Sequence, residues 1–144
     1  MEQQSKEANS RGSEWHRWDP HIHTPGTLKE DRFGSKNAWE KYVEALETAT
    51  PVIKALGITD YGVTASYERV KAEKDKGRLA NCELLFPNIE LRLDHGTVKG
   101  NFVNAHLLVS PEDPNHVDEL NRFLGRLRFT AFNDTFVCLS LIHI

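Results

Sequence analysis

Apolar and polar positions along this chain follow two different periods, and these periods predict alternating strands and helices. Period two or a short buried run predicts four strands, over residues 17–23, 56–60, 83–90 and 102–109. Apolar residues at helical spacing predict three helices, over residues 36–49, 65–76 and 115–127. Strands that alternate with helices in this way are typical of an α/β fold with a mainly parallel sheet.

The same pattern predicts where helices begin and which faces they bury. We predict Ser35 as the N-cap of the first helix, and residues 53–55 as a helix end or turn before the second strand. Turn signals over residues 92–100 predict a hairpin or an excursion before the fourth strand. The last helix should bury one apolar stripe, formed by Val117, Leu120, Phe123, Leu124 and Leu127.

The first strand carries the most specific pattern in the chain. Successive strand residues point to opposite faces, so we expect Asp19, His21 and His23 on one face. Trp18, Pro20 and Ile22 should occupy the other, apolar face. Two histidines on rigid backbone, with a carboxylate to orient one of them, are typical of a metal site. Two surface histidines beside a proline-containing turn are the alternative interpretation.

Three later strands also carry polar groups. Asp60 and Glu90 end the second and third strands, and His106 lies in the second half of the fourth. Because reactive groups collect at the carboxyl ends of parallel strands, we expect all three at one rim with His21 and His23. Each has a structural alternative, as a turn residue, a strand end or a hydrogen-bonded core histidine. Their convergence favours a metal site.

Length and composition limit the function classes. The 144 residues suffice for one ordinary domain, and 39% hydrophobic with 27% charged residues indicates a globular protein. A net charge of −3 provides no overall basic field for nucleic-acid binding. Cys82 and Cys138 form neither a CxxC motif nor a disulfide framework. No apolar stretch approaches the ~20 residues that span a bilayer, and residues 1–12 lack the apolar core of a secretory signal. We therefore expect a cytoplasmic protein without membrane contact.

Four segments together resemble the motifs of the PHP domain, the polymerase and histidinol phosphatase superfamily. They are Asp19–Thr24, Gly57–Tyr61, Pro87–Glu90 and Asn104–Leu108, in matching order and spacing over about residues 14–110. Residues 11–15 further resemble the approach to PHP domains that are fused to an AAA- or SMC-like ATPase, the TrlF-type proteins.

The resemblance implies a distorted (β/α) barrel of seven strands with metal ions at the strand ends. His21 and His23 would bind the first ion, and Glu90 would bridge to the second. His106 would complete part of the second site, and Asp60 would be a ligand or would lie close behind the ligands.

The implied chemistry is hydrolysis of a phosphate mono- or diester by a metal-activated water. Imidazole and carboxylate ligands suit two divalent ions of zinc, manganese or iron. Asp19 and Tyr61 would support the ligands from behind. The substrate would be a phosphorylated small molecule or a nucleic-acid end, and a C-terminal ATPase would be a possible partner domain.

Two positions depart from the family pattern. Tyr61 and Lys29 stand where many PHP proteins have histidines that serve a third ion, so we expect two ions rather than three. The chain also holds only the N-terminal strand–helix units of such a barrel. We interpret residues 1–13 as a flexible leader, 14–136 as part of a PHP domain, and 137–144 as a truncated or non-native tail. We expect the chain alone to be inactive.

Two other function classes remain open. The chain is alternatively a non-catalytic PHP module that binds nucleic acid or regulates an attached ATPase. It is alternatively a small α/β domain of unrelated function, whose histidines are structural. Metal content separates the non-catalytic module from the phosphoesterase hypothesis. Cooperative folding of the chain alone as a monomer without metal would favour the unrelated α/β domain.

Overall fold

A computed structural model of the chain describes residues 15–27, 33–34, 36–131 and 134–137. Four features of the sequence analysis lie outside these residues: the leader, Ser35, Lys29 and the tail after residue 137. Strands and helices are found in the order β1 (Arg17–His23), α1 (Ala38–Glu47), β2 (Ile53–Tyr61), α2 (Ala65–Asp75), β3 (Leu84–Gly96), β4 (Phe102–Leu108), α3 (His116–Arg126), β5 (Arg128–Ala131) and β6 (Asp134–Val137).

The main sheet has four strands in the order β1-β2-β3-β4. The β1–β2 and β2–β3 pairs are parallel, whereas β4 runs antiparallel to β3. The α/β class is confirmed, and the sheet is mixed, consistent with part of a barrel. β4 is antiparallel because a short hairpin after Gly96 connects it to β3, and a connection of this length cannot make a parallel crossover.

The structure corrects several predicted elements. β3, predicted over residues 83–90, extends from Leu84 to Gly96. α1 is shorter than predicted and begins after Asn37, whose left-handed φ of 68° marks the helix boundary. Residues 53–55 belong to β2, because Ile53 and Ala55 pair with β1. Phe123 is 47% exposed rather than buried in the stripe of α3, and the β5–β6 ladder was not predicted.

In the part of the chain that the structure describes, all three helices pack on one face of the sheet. One core cluster joins α1 and α2 to β2 through Tyr42, Val43, Leu56, Ile58 and Val70. A second cluster joins α3 to β3 through Ile89, Leu120 and Leu124. The β2 and β3 residues of these clusters alternate with residues that face the other way. That opposite face, with Gly57, Thr59, Asn88 and Glu90, is hereafter the helix-free face.

Candidate metal centre

A β-bulge in β1 places both histidines of the first strand on the helix-free face. Asp19 pairs with Leu56 and Ile22 with Ile58, so β1 holds one more residue than β2 over this interval. Ile22 therefore packs against the core, and His21 and His23 lie on either side of it along the chain. Their Nε2 atoms are 3.0 Å apart.

Glu90 completes a triangle of ligand atoms with the two histidines. Its Oε2 atom lies 3.5 Å from His21 Nε2 and 3.6 Å from His23 Nε2. Ligands about 2.1 Å from a tetrahedral zinc ion are separated from each other by about 3.4 Å, so the three atoms have the spacing of a coordination shell. His21, His23 and Glu90 thus form a group that could hold a metal ion.

The burial of Glu90 supports this assignment. The residue is 6% exposed, and its Oε2 atom has no hydrogen-bond partner within the described part of the chain. A buried carboxylate oxygen without a donor is costly, because it has lost its water without gaining a partner. His21, His23 and Glu90 could hold a cation here, which would remove that cost.

The other oxygen of Glu90 is held by β4. Asn104 Nδ2 donates to Glu90 Oε1 at 2.5 Å, and Arg92 Nε donates to Asn104 Oδ1 at 3.4 Å. The guanidinium of Arg92 also lies over the ring of Phe102, 5.4 Å from its centroid. This arrangement fixes the carboxylate with Oε2 towards the histidines and brings a positive charge to the same rim.

His106 lies beside the triangle and is not one of its three members. It reaches the rim by pairing directly with Glu90 across the antiparallel ladder. Its ring centroid is 4.6 Å from that of His21, and its Nδ1 atom is 3.0 Å from Asn88 Oδ1. The structure therefore brings four of the five expected ligands together at one rim.

Asp60, the fifth expected ligand, is turned to the helix side of the sheet. Thr27 Oγ1 donates to its Oδ1 atom at 2.9 Å, and the backbone N–H of Tyr61 donates to the same atom at 2.8 Å. Ser66 Oγ donates to Oδ2 at 2.5 Å, and Thr24 Oγ1 donates to Ser66 Oγ. Both carboxylate oxygens are thus occupied, and Asp60 connects the loop after β1 to the start of α2.

We expect Asp60→Ala to lower the stability of the protein without affecting metal binding by His21, His23 and Glu90. Three hydroxyl or amide donors, two of them in buried side chains, lose their acceptor, which should lower the free energy of unfolding by about 3 kcal/mol or more. Urea unfolding measures this loss, and cobalt titration of the folded variant should give wild-type affinity. A folded variant that no longer binds cobalt would contradict this structural role.

The two residues expected to support the ligands are placed differently. The bulge separates Asp19 from the histidines, and Asp19 lines a cavity with Ile22 and Tyr42 on the helix side. Burial, and secondly the charge of Asp19, raises the pKa of the Tyr42 hydroxyl. The expected shared face of Asp19 and the histidines is therefore not found. Tyr61 does lie at the site, with its ring stacked on His23 at 5.4 Å and 19°.

Sequence reasoning did not assign roles to three residues of the site. Gly57 has no side chain where the Pro20 carbonyl of β1 approaches β2, and a Cβ there would overlap that carbonyl oxygen. Asn88 and Asn104 hold His106 and Glu90. Strand alternation alone places Asn88 on the face of Glu90, but amides carry no ligand signal and were not singled out.

Within the described ranges, no helix is long and apolar enough to cross a membrane. Comparison with protein-family models, with curated proteins and with solved structures finds no match.

Proposed function

We propose that this chain is part of a PHP-type metal-dependent phosphoesterase. The observation that carries the proposal is the buried Oε2 atom of Glu90, which has no hydrogen-bond partner in the described part and lies within 3.6 Å of both histidine Nε2 atoms. Two imidazoles and one carboxylate suit zinc, manganese or iron. His106 and the second lone pair of Glu90 Oε1 would contribute to a second ion.

The residues around the triangle suit a phosphoryl substrate. When bound, divalent ions activate a water and neutralise the charge that develops on phosphoryl oxygens. Glu90 and the histidines would hold the first ion, and Asn104 would keep the carboxylate in place. Arg92 lies two residues beyond Glu90 on the same strand and is exposed, so its guanidinium would attract the phosphate group to this rim.

Metal and phosphate binding together test the proposal. The purified chain should be stripped with a chelator and titrated with zinc, manganese or iron(II), and its metal content measured by mass spectrometry. We expect one to two ions per chain, and calorimetry should show inorganic phosphate binding only to the loaded protein. Arg92→Gln should weaken phosphate binding by about 10-fold, the loss of one charge-assisted contact, and leave metal content unchanged.

The other outcomes separate the alternatives. Bound metal without any phosphate binding would favour a non-catalytic module over an enzyme. A chain that binds none of these ions would favour structural histidines. Hydrolysis of p-nitrophenyl phosphate and of bis(p-nitrophenyl) phosphate, measured on the same samples, should depend on metal wherever it is detected.

A further inference from the structure

Asn88 forms two hydrogen bonds that connect its own strand, β3, to β1 and to β4. Its side chain is 2% exposed and lies in the middle of the helix-free face. Nδ2 donates to the backbone carbonyl of Pro20 in β1 at 2.8 Å, and Oδ1 lies 3.0 Å from His106 Nδ1 in β4. Asn88 itself is two residues before Glu90 in β3.

The first bond determines the orientation of the amide. The Pro20 carbonyl can only accept, so the NH₂ group of Asn88 must face it and the amide oxygen must face His106. His106 Nδ1 therefore carries the proton and donates to Asn88 Oδ1. In the neutral ring, Nε2 is then the unprotonated nitrogen, with its lone pair available for a metal ion.

The same bond supports the bulge that aligns the other two histidines. Pro20 lies within the irregular part of the β1–β2 ladder, between the Asp19 and Ile22 pairings. Its carbonyl lies close to Gly57 and accepts from the Asn88 amide, and among the described residues of β2 none pairs with Pro20. The amide thus satisfies a carbonyl that the bulge removes from regular pairing, and the bulge is what turns His21 and His23 to the helix-free face.

We propose that Asn88 is the positioning residue of this metal centre, acting on both histidine-bearing strands through one amide group. It selects the Nδ1–H tautomer of His106 and stabilises the β1 bulge behind His21 and His23. The effect on metal affinity rests on the proposed metal site, whereas the tautomer and the bulge do not.

Nitrogen-15 NMR of the imidazole rings in the metal-free wild-type protein tests the tautomer directly. At pH 8 we expect His106 as the Nδ1–H form, and His106 found mainly as the Nε2–H form would overturn the proposal. This result does not depend on whether the protein binds metal, so it separates a failure of this inference from a failure of the proposed function.

Two substitutions then separate the two bonds. Asn88→Leu removes both, and we expect cobalt affinity to fall 10- to 100-fold, the range for groups that orient ligands, with His106 shifting towards the Nε2–H form. Asn88→Asp keeps an acceptor for His106 but loses the donor to Pro20, so the tautomer should stay as in wild type even if stability drops.

Asn121→Leu is the matched control. This substitution removes one side-chain hydrogen bond, which Thr64 Oγ1 donates to Asn121 Oδ1 at 3.0 Å. Asn121 lies on α3 and is not one of the residues that could hold the metal ion. The cobalt affinity and His106 tautomer of this variant should equal those of wild type. A folded Asn88→Leu protein with wild-type affinity and an unchanged tautomer would refute the positioning role, and the Asn88→Asp tautomer decides the case if the leucine variant does not fold.

Discussion

Glu90→Gln should abolish metal binding and at the same time make the metal-free protein more stable. The substitution replaces a buried carboxylate, whose Oε2 atom has no partner in the described residues, by a neutral amide of the same shape. His21 Nε2 and His23 Nε2 are hydrogen-bonded to each other, so one of them carries a hydrogen. An amide N–H can donate to the other, whereas a carboxylate has no hydrogen to donate. Without metal, the free energy of unfolding should rise by about 1–3 kcal/mol, the cost of an unsatisfied buried group.

When metal is present, Glu90→Gln should make the protein less stable than the wild type. Ligand at 100 times its dissociation constant stabilises the wild type by about 2.7 kcal/mol, and Glu90→Gln should gain none of this. Its cobalt affinity should fall by more than about 100-fold, beyond the range for groups that only support ligands. Urea unfolding with and without cobalt, together with the visible absorption of bound cobalt, measures both effects.

His21→Ala and His23→Ala should also lose cobalt binding, whereas His16→Ala, which lies outside the group, should keep it. If Glu90→Gln binds cobalt as tightly as wild type, the triangle of ligand atoms is not a metal site. If it binds none but destabilises the metal-free protein, Glu90 has a partner other than a cation.

Gly57→Ala should be the most damaging single-methyl change on the helix-free face. The added Cβ would overlap the Pro20 carbonyl oxygen, lie 2.7 Å from the Pro20 carbonyl carbon and lie 2.8 Å from Phe86 Cε2. Two of these three atoms are backbone, so β1 must move as a unit. We expect a loss of about 3 kcal/mol or more, the upper end for overpacking, and weaker cobalt binding because the bulge behind His21 and His23 shifts.

Gly125→Ala is the control for this change. Gly125 lies inside α3, and a Cβ there would meet no atom within 4 Å. Alanine should stabilise the helix by about 0.5–1 kcal/mol and leave cobalt binding unchanged. Equal urea midpoints for Gly57→Ala and wild type would mean that β1 and β2 do not approach as closely as the structure has them.

The order of the elements from β1 to α3 was predictable because their apolar residues recur with the period of a strand or of a helix. The bounds of β1 and α2 follow from period two and from helical spacing within one residue. Convergence of His21, His23, Glu90 and His106 was also expected. For His106 the expected reason was incomplete, because it reaches the rim through antiparallel pairing with Glu90.

The sequence by itself determined which elements form and which residue types could meet at a rim, because these depend on local periodicity and on side-chain chemistry. Only the tertiary structure decided the face of each residue near the β1 bulge, since one extra residue reverses the alternation and separates Asp19 from the histidines. It also decided that Asp60 connects the loop after β1 to the start of α2. Asn104 and Asn88 likewise hold Glu90 and His106 through contacts between strands. These roles depend on contacts between strands far apart in the chain, and no local pattern contains them.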